Sequence, residues 1–388
     1  MKKIVFLLII AFISCKKEPK KATSETPNNI PVKKEDAVDI PIEYAKGFSI
    51  QKQGNLTIIK VNAPWPNARK TYTYALIDKK KMETIRINSS LYDAVIPTPV
   101  NRLVATSTTH IPAIEALGVE NTLIGFPGTN YVSSKKVRKK IDEGKVTNLG
   151  LNESINTEVL VNLQPELIMG FTVEGQNKTY STIENAGIPV VYNGDWVEET
   201  PLGKAEWIKF FGPFFQKGRE ADSIFNSIAK SYQEAKTLAT TAKNKPTVLS
   251  GSMFKDIWYV PAGKSWVAHF LEDANANYLW KDSFGTGSLS LNFETVLEKA
   301  KNADFWIGPG QFVSYNQLKE TNKHYTQFKA YKDKKVYTYS LATGVTGGLL
   351  YYELAPNRPD IVLKDIIHIL HPEILPDYKT VFFKQLQP

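Results

Sequence analysis

Residues 218–243, GREADSIFNSIAKSYQEAKTLATTAK, decide the fold because they predict one long amphipathic helix. Polar side chains, among them Lys, Glu and Gln, fill the face opposite the apolar one. At about 1.5 Å of rise per residue the helix would be roughly 40 Å long, which is more than one small sheet needs. The apolar side chains recur at three- and four-residue steps, the spacing of a single helical face: Ala221, Ile224, Phe225, Ile228, Ala229, Tyr232, Ala235 and Leu238. The stretch therefore predicts a rigid connection between two bodies.

A second pattern occurs once on each side of this helix. Before it, NTEVL (156–160) precedes the apolar run PELIMG (165–170), and after it NFETVL (292–297) precedes ADFWIG (303–308). Each is typical of a short helix that begins after Asn, followed by a buried strand that ends at Gly. The sequence therefore predicts an α/β protein with two Rossmann-like lobes, residues 47–217 and 244–388, joined by the helix 218–243.

Apolar runs separated by helical patterns predict parallel-rich sheets in both lobes. Examples are RLVAT (102–106) in the first lobe and KPTVLSG (245–251) in the second. Residues 47–90 instead contain short alternating runs between turn residues, which predict a small antiparallel β addition to the first lobe. A ligand cleft is expected between the lobes, where loops leave the carboxyl ends of the strands.

The bulk composition indicates a globular protein. Of the 388 residues 42% are hydrophobic and 22% are charged, and the formal net charge is +9. These values exclude a disordered chain and a membrane-spanning one. No Arg-rich or aromatic stripe accompanies the basic excess, so nucleic acid is not expected as a partner.

The first 15 residues have the pattern of a secretory signal. Lys2 and Lys3 precede an apolar run of about ten residues, and Ser14-Cys15 follow it. Cys15 is the only cysteine in the chain and resembles the lipidated cysteine of a bacterial lipoprotein. The alternative is an incidental cysteine in an ordinary signal peptide.

Residues 16–46 are predicted to be a flexible tether. Residues 16–41 are rich in Lys, Pro, Asn, Ser and Thr and contain few large apolar side chains that could be buried. The Lys-Lys-Glu that follows Cys15 could instead be read by a sorting system, and the sequence leaves both alternatives open. Anchoring by lipid places the protein in the cell envelope, at either the periplasmic face or the cell surface.

Several segments of the chain together resemble a known family. The segment VATSTTHIPAIEALGV (104–119), the NTEVL element, LQPELI (163–168), the long helix and RPDIVLKD (358–365) resemble the periplasmic binding proteins that serve importers of iron-siderophore complexes, haem and vitamin B12. The resemblance covers roughly residues 98–380. It implies two lobes joined by one helix, a ligand cleft between them and no catalytic activity.

The resemblance also implies a role for two acids. In that family one glutamate on each lobe pairs with arginines of the ABC permease, and the matching residues here are Glu158 and Glu294. Charge pairs of this kind set orientation and association rate. The alternative is that each carboxylate only stabilises a helix N-terminus, by about 0.3–1 kcal/mol.

Loops at the carboxyl ends of the predicted strands supply the candidate ligand contacts. Aromatic side chains suit a large, partly flat chelate, while arginine and hydroxyl groups can meet its anionic edges. For each of them the alternative is core or interlobe packing. The candidates are Thr108, Thr109, His110, Phe171, Trp196, Met253, Trp258, Gln311, Tyr339 and Arg358.

Metal and enzyme signatures are weak. The five histidines are scattered without the spacing of metal ligands, so neither a protein-bound metal nor another resident cofactor is expected. Gly263-Lys264-Ser265 resembles the end of a phosphate loop, but Trp258 stands where its first glycine belongs. No serine lies in a G-x-S-x-G frame.

The sequence leaves two classes of function open. The first is a monomeric, lipid-anchored solute-binding protein that delivers an iron-siderophore complex to an ABC importer, with vitamin B12 or haem as alternative cargoes. The second is a surface scaffold or adhesin built on the same two lobes.

Overall fold

The computed structural model describes residues 37–62, 64–173, 175 and 177–388. The predicted signal sequence, Cys15 and most of the predicted tether lie outside the described residues. Among the described residues, no helix combines the length and the apolar character that crossing a bilayer requires.

The elements before residue 218 build the first lobe and its β addition. Its strands are β1 (Ala37–Ile40), β2 (Phe48–Gln53), β3 (Leu56–Val61), β4 (Tyr72–Asp78), β5 (Ala94–Thr98), β6 (Leu103–Ala105), β7 (Leu123–Phe126), β8 (Thr147–Asn148), β9 (Gly150–Leu151), β10 (Ser154–Ile155), β11 (Leu167–Gly170) and β12 (Val190–Tyr192). Its helices are α1 (His110–Ala116), α2 (Lys135–Asp142), α3 (Thr157–Asn162), α4 (Lys178–Asn185), α5 (Pro201–Glu206) and α6 (Ile208–Phe211).

The long helix α7 (Gly218–Ala239) leads to the second lobe. The strands of this lobe are β13 (Thr247–Ser250), β14 (Ser252–Phe254), β15 (Ile257–Pro261), β16 (Asn277–Tyr278), β17 (Ser288–Leu291), β18 (Phe305–Ile307), β19 (Val336–Thr338) and β20 (Lys384–Gln385). Its helices are α8 (Trp266–Asp273), α9 (Phe293–Ala300), α10 (Tyr315–Thr321), α11 (Lys329–Lys332), α12 (Leu350–Leu354) and α13 (Pro359–Leu370).

Each lobe is built on a five-stranded sheet. In the first lobe the order is β12-β11-β6-β7-β8 and every pairing is parallel. In the second lobe the order is β16-β13-β18-β19-β20, with only β20 antiparallel to its neighbour. The predicted fold class, α/β with two lobes and parallel-rich sheets, is confirmed.

Helix α7 serves both lobes with a single apolar face. Its first half contributes Phe225 and Ile228 to the core of the first lobe, and its second half contributes Tyr232 and Ala235 to the core of the second. The 22 residues extend about 33 Å, enough to reach both cores. One unbroken helix therefore contributes side chains to both cores.

The helix ends four residues earlier than the predicted boundary at Lys243. The hydroxyl of Thr240 donates to the carbonyl of Thr237 at 2.7 Å, and that of Thr241 donates to the carbonyl of Leu238 at 2.7 Å. Threonine hydroxyls that bond local carbonyls compete with the continuing helical ladder. The helix therefore stops at Ala239.

The β addition is larger than predicted. A five-stranded sheet with the order β1-β2-β3-β4-β5 occupies residues 37–98, antiparallel except where β5 pairs with β4. Strand β1 lies inside the segment that was predicted to be a flexible tether, so that prediction is wrong for residues 37–46.

Strand β1 is ordered by pairing with β2, and the residues after it by a pair of buried carboxylates 151 to 163 residues away. Residues 41–47, called the strap below, cross α5 and α6. Glu206 has no exposed surface and accepts hydrogen bonds from the amides of Glu43, Tyr44 and Ala45 at 2.9, 2.6 and 2.9 Å. Glu198 accepts from the amides of residues 46 and 47 at 2.9 and 2.7 Å. Order in the strap therefore comes from distant residues that local composition does not reveal.

Candidate ligand-binding site

The strand order places a crevice at one edge of each sheet. In the first lobe the order reverses between β6 and β11, and in the second between β13 and β18. Ligands of open α/β sheets bind outside the carboxyl ends of the strands at such reversals. The loops concerned begin at Thr106 and Phe171 in the first lobe, and at Gly251 and Gly308 in the second.

An aromatic pocket lies at this edge of the second lobe. Tyr339 stacks on Tyr351 with ring centroids 4.7 Å apart and an interplanar angle of 14°. The hydroxyls of Tyr339 and Tyr352 lie 3.0 Å apart, and Trp266 contacts Tyr351 with centroids at 5.6 Å. The cavity that these rings border has a volume of about 320 Å³. We call it the aromatic pocket.

The aromatic pocket is an uncharged surface. The described residues that line it are aromatic, aliphatic, serine or glycine, and none carries a charged side chain. Three of its rings are partly open to solvent: Phe254 is 65% exposed, Tyr352 50% and Tyr259 39%. Exposed aromatic surface of this extent at a cavity mouth is typical of a binding site.

On the first lobe, Phe171 and Trp196 form a second aromatic surface. Their centroids lie 5.9 Å apart in an edge-to-face arrangement. Beside them, Asn193 Nδ2, Asp195 Oδ1 and Trp196 Nε1 are buried and have no hydrogen-bond partner among the described residues. Buried polar atoms are normally paired with protein, water or ligand. This loop therefore has hydrogen-bonding capacity to spare.

Burial sets the ionisation of two groups in this loop region. It raises the pKa of Asp195, against the lowering effects of the Thr109 hydroxyl and of Lys204. It also lowers the pKa of Lys204 to about 8, because desolvation outweighs the attraction of Asp195 and Glu198. Burial therefore favours the uncharged form of both groups.

Lys204 connects the two sides of the candidate site. Its Nζ donates to the carbonyls of Asp195 and Trp196 at 3.2 and 2.8 Å. The same atom lies 5.4 Å from the ring centroid of Trp266 on the second lobe, within cation–π range. One side chain thus fixes the loop of Trp196 and meets the wall of the aromatic pocket.

Two candidates occupy the cores instead of the cleft. Trp258 has no exposed surface and lies against Trp306 and Phe328, with centroids at 5.3 and 5.5 Å. His110 is also fully buried, 5.7 Å from Phe211, and burial lowers its pKa to about 3. The alternation of β15 explains the first placement, because Trp258 points inward and its neighbour Tyr259 points outward.

The remaining candidates are divided among several places. Tyr339 lines the aromatic pocket, whereas Met253 packs partly on the core of the second lobe and Gln311 is exposed next to Gly310. Thr108 and Thr109 are half-buried at the carboxyl edge of the first lobe.

Arg358 lines a different cavity of about 930 Å³, bordered by α1, α7 and α12. Its guanidinium donates to both carboxylate oxygens of Asp360 at 2.9 Å. We call this 930 Å³ cavity the side cavity. It has no described lining residue in common with the aromatic pocket. The prediction had placed Arg358 with Tyr339 in one cleft, and the structure separates them.

Glu158 and Glu294 occupy equivalent positions on the two lobes. Each is exposed in the first turn of a short helix. Asn156 accepts from the amide of Val159 at 3.0 Å, and Asn292 accepts from the amide of Thr295 at 2.8 Å. The two helices of the predicted repeat therefore exist and are capped in the same way, while contact of these acids with a permease stays a prediction.

Sequence reasoning did not select several residues of the pocket walls. Trp266 belongs to an ordinary helical pattern, and the sequence around Lys204 carries no motif that marks a binding residue. The pair Tyr351-Tyr352 after Gly347-Gly348 was the available signal, because adjacent tyrosines after a glycine turn suit a binding loop.

The fold and the site define a two-lobed binding protein with a single-helix connection, and the comparisons give its family. The sequence profile of the periplasmic binding protein family matches residues 103–341. An uncharacterised lipoprotein of Methanocaldococcus jannaschii is 31% identical over 298 residues, covering 74% of this chain and 69% of that protein. The chain belongs to the periplasmic binding protein family.

Two solved structures share the fold. A periplasmic haem-binding protein of Pseudomonas aeruginosa aligns with a TM-score of 0.56 at 16% identity, covering 74% of this chain and 99% of that chain. A protein of an ABC-type Fe³⁺-hydroxamate transport system from Saccharomonospora viridis aligns with a TM-score of 0.52 at 14% identity, covering 70% and 94%. The family is one of binding proteins, and this chain is a binding protein rather than an enzyme.

Proposed function

We propose that this chain is the substrate-binding component of an ABC importer and captures an iron-siderophore complex between its lobes. The single observation that carries the proposal is the aromatic pocket with Phe171 and Trp196 on the other lobe. Both surfaces lie at the carboxyl edges of their sheets, and each includes residues that directly follow a strand at the reversal of strand order: Phe171 after β11, and Gly251 and Gly308 after β13 and β18.

The chemistry of the pocket supports a chelate with little net charge. Aromatic faces give large contact areas to a rigid ligand at a small loss of side-chain entropy. A wall without charged side chains suits a neutral ferric chelate better than haem, whose two propionates need cationic partners. The tyrosine hydroxyls of the pocket can bond the polar edge of such a chelate.

The two solved structures were described for different cargoes, haem and an Fe³⁺-hydroxamate. Their sequence identities are too low to carry a cargo over to this chain, so the choice rests on the pocket itself. Vitamin B12 and haem are the alternatives that an experiment must separate.

Two further parts of the proposal concern delivery. A lipid on Cys15 would hold the protein at a membrane, and Glu158 with Glu294 would pair with basic residues of the permease. The support is the exposed, equivalent placement of the two acids and the lipoprotein description of the relative from Methanocaldococcus jannaschii.

Tryptophan fluorescence tests the cargo. Trp196 and Trp266 border the site, so titration with a ferric trihydroxamate, haem and cobalamin should quench emission in a saturable manner for the true ligand class. We expect the trihydroxamate to bind most tightly. Absence of saturable quenching with all three would overturn the proposal.

A matched pair of variants locates the site. Phe254→Ala removes a 65% exposed ring at the aromatic pocket, and Leu91→Ala removes a 67% exposed side chain of the β addition. Phe254→Ala should weaken binding about tenfold, on the scale of one lost aromatic contact. Leu91→Ala should bind like the unaltered protein, and equal weakening by both variants would place the ligand elsewhere.

A further inference from the structure

A loop of the second lobe reaches the first lobe at the side of the cleft. The hydroxyl of Thr346 donates to the carbonyl of Asn130 at 2.7 Å, and the hydroxyl of Ser133 donates to the carbonyl of Gly348 at 3.0 Å. These residues belong to two segments, 129–134 of the first lobe and 343–353 of the second. The lobes are therefore joined here by side-chain and backbone hydrogen bonds, in addition to α7.

Backbone contact in this region is close. A Cβ atom added to Gly348 would lie 2.3 Å from the carbonyl oxygen of Tyr131, and one added to Gly344 would lie 2.8 Å from Cα of Ser133. Contacts below 3.0 Å force the neighbouring backbone to move. Glycine at these two positions therefore permits the segments to meet.

Glu353 on α12 is the charged group of this contact. It is 3% exposed, and its carboxylate accepts hydrogen bonds from the amides of Ser133 at 2.5 Å and Ser134 at 2.8 Å. Both donors belong to the other lobe, so the bonds exist only while the lobes are together. The contact therefore links the second lobe directly to the backbone of the first.

We propose that Glu353 is a positioning residue that clamps the two lobes together through the amides of Ser133 and Ser134. Ser133, Ser134 and Glu353 line the side cavity, which α7 also borders. Separation of the lobes at the cleft therefore requires these two hydrogen bonds to break. The inference concerns lobe closure and rests on the proposed function only for its consequence, the retention of cargo.

The surroundings of Glu353 make the clamp sensitive to protons. Burial raises the pKa of Glu353 to about 7, the two amides and Ser133 act in the opposite direction, and Glu115 adds to the rise. Glu115 accepts from the hydroxyl of Ser134 and lies 3.6 Å from Lys136, whereas no ion pair among the described residues includes Glu353. The other charged groups that line the same cavity are Lys135 on α2, and Arg358 and Asp360 on α13.

The sign of the pH effect follows from linkage. When the lobes separate, the carboxyl returns to water and to its ordinary pKa of 4.5, so the closed form binds protons more tightly than the open form. With a closed-form pKa of about 7, the ratio of closed to open molecules should rise about tenfold between pH 8 and pH 6. Acid therefore favours closure, and alkaline conditions favour opening.

Hydrogen exchange of the ligand-free protein tests the clamp without any cargo. The amides of residues 133 and 134 should be protected, and their protection, corrected for intrinsic exchange, should rise about tenfold from pH 8 to pH 6. Glu353→Ala should remove this protection at both pH values. Unchanged protection in Glu353→Ala would overturn the clamp.

Two variants separate the clamp from a general loss of folding. Glu353→Gln keeps one acceptor oxygen for the two amides and cannot titrate, so protection should persist at one of residues 133 and 134, fall at the other, and lose its pH dependence. Glu298→Gln, an exposed glutamate on α9 of the same lobe, should behave like the unaltered protein. A pH dependence that survives in Glu353→Gln would show that another group carries it. Failure to bind any cargo leaves these expectations unchanged, so the two proposals fail independently.

Discussion

At the scale of single residues, the two faces of β15 divide structural from ligand-facing side chains. Trp258 and Val260 point into the core of the second lobe, while Ile257 and Tyr259 point outward and Tyr259 lines the aromatic pocket. A strand with one buried face assigns neighbouring residues to opposite environments. Adjacent aromatic residues therefore have different roles.

This division predicts opposite phenotypes for two neighbouring substitutions. Trp258→Ala removes a fully buried ring from a cluster with Trp306 and Phe328, and it should lower the free energy of unfolding by about 3–5 kcal/mol. Tyr259→Ala should change that free energy by less than about 1 kcal/mol but weaken ligand binding. Urea unfolding followed by circular dichroism, together with the fluorescence titration, measures both effects. Similar destabilisation by the two variants would contradict the assignment.

At the scale of elements, the strap shows what composition alone does not reveal. The apolar stripe of α7 is a local pattern, and for that reason the sequence predicted the helix within four residues. The strap is ordered by Glu198 and Glu206, whose positions depend on the complete first lobe. The same is true of the clamp, since Ser133 and Glu353 are 220 residues apart. Periodicity predicted the sheets and helices, whereas contacts between distant segments decided which candidate side chains reach the cleft.

The strap also gives a stability prediction. Glu206→Gln leaves Lys209, 3.0 Å from the carboxylate, without its nearest counter-charge, and leaves three strap amides facing one acceptor oxygen. Breaking a buried pair of this kind should lower the free energy of unfolding by about 3–5 kcal/mol. Thermal or urea unfolding measures the change. The exposed neighbour Glu199→Gln is the control, and a loss of less than about 1 kcal/mol in Glu206→Gln would show that the strap contributes little.

At the scale of the whole molecule, two surfaces are each divided between the lobes, with one half on either lobe. One is the aromatic lining of the cleft, and the other is the pair of exposed acids Glu158 and Glu294. A single helix and the clamp together set the distance between the halves of both surfaces. The distance between Glu158 and Glu294 therefore depends on lobe closure, so a partner that contacts both acids at once would bind the open and closed forms differently.

Charge reversal tests that arrangement. Glu158→Lys with Glu294→Lys should leave the fluorescence titration unchanged, because neither residue lines the aromatic pocket. The same double variant should abolish uptake of the bound cargo in cells, since like charges would face the basic residues of the permease. Uptake at the unaltered rate would remove the docking role from these acids, and lost binding would assign them to the ligand site instead.

The strap has a further consequence for the order of events during synthesis. Glu43 leaves the ribosome 163 positions before the carboxylate that accepts its amide. At about 5–20 residues per second, the donor waits roughly 8–30 s for its acceptor. The earliest part of the described chain is therefore among the last parts of the first lobe to find its place, and a nascent chain halted before Glu206 carries three amides with no acceptor.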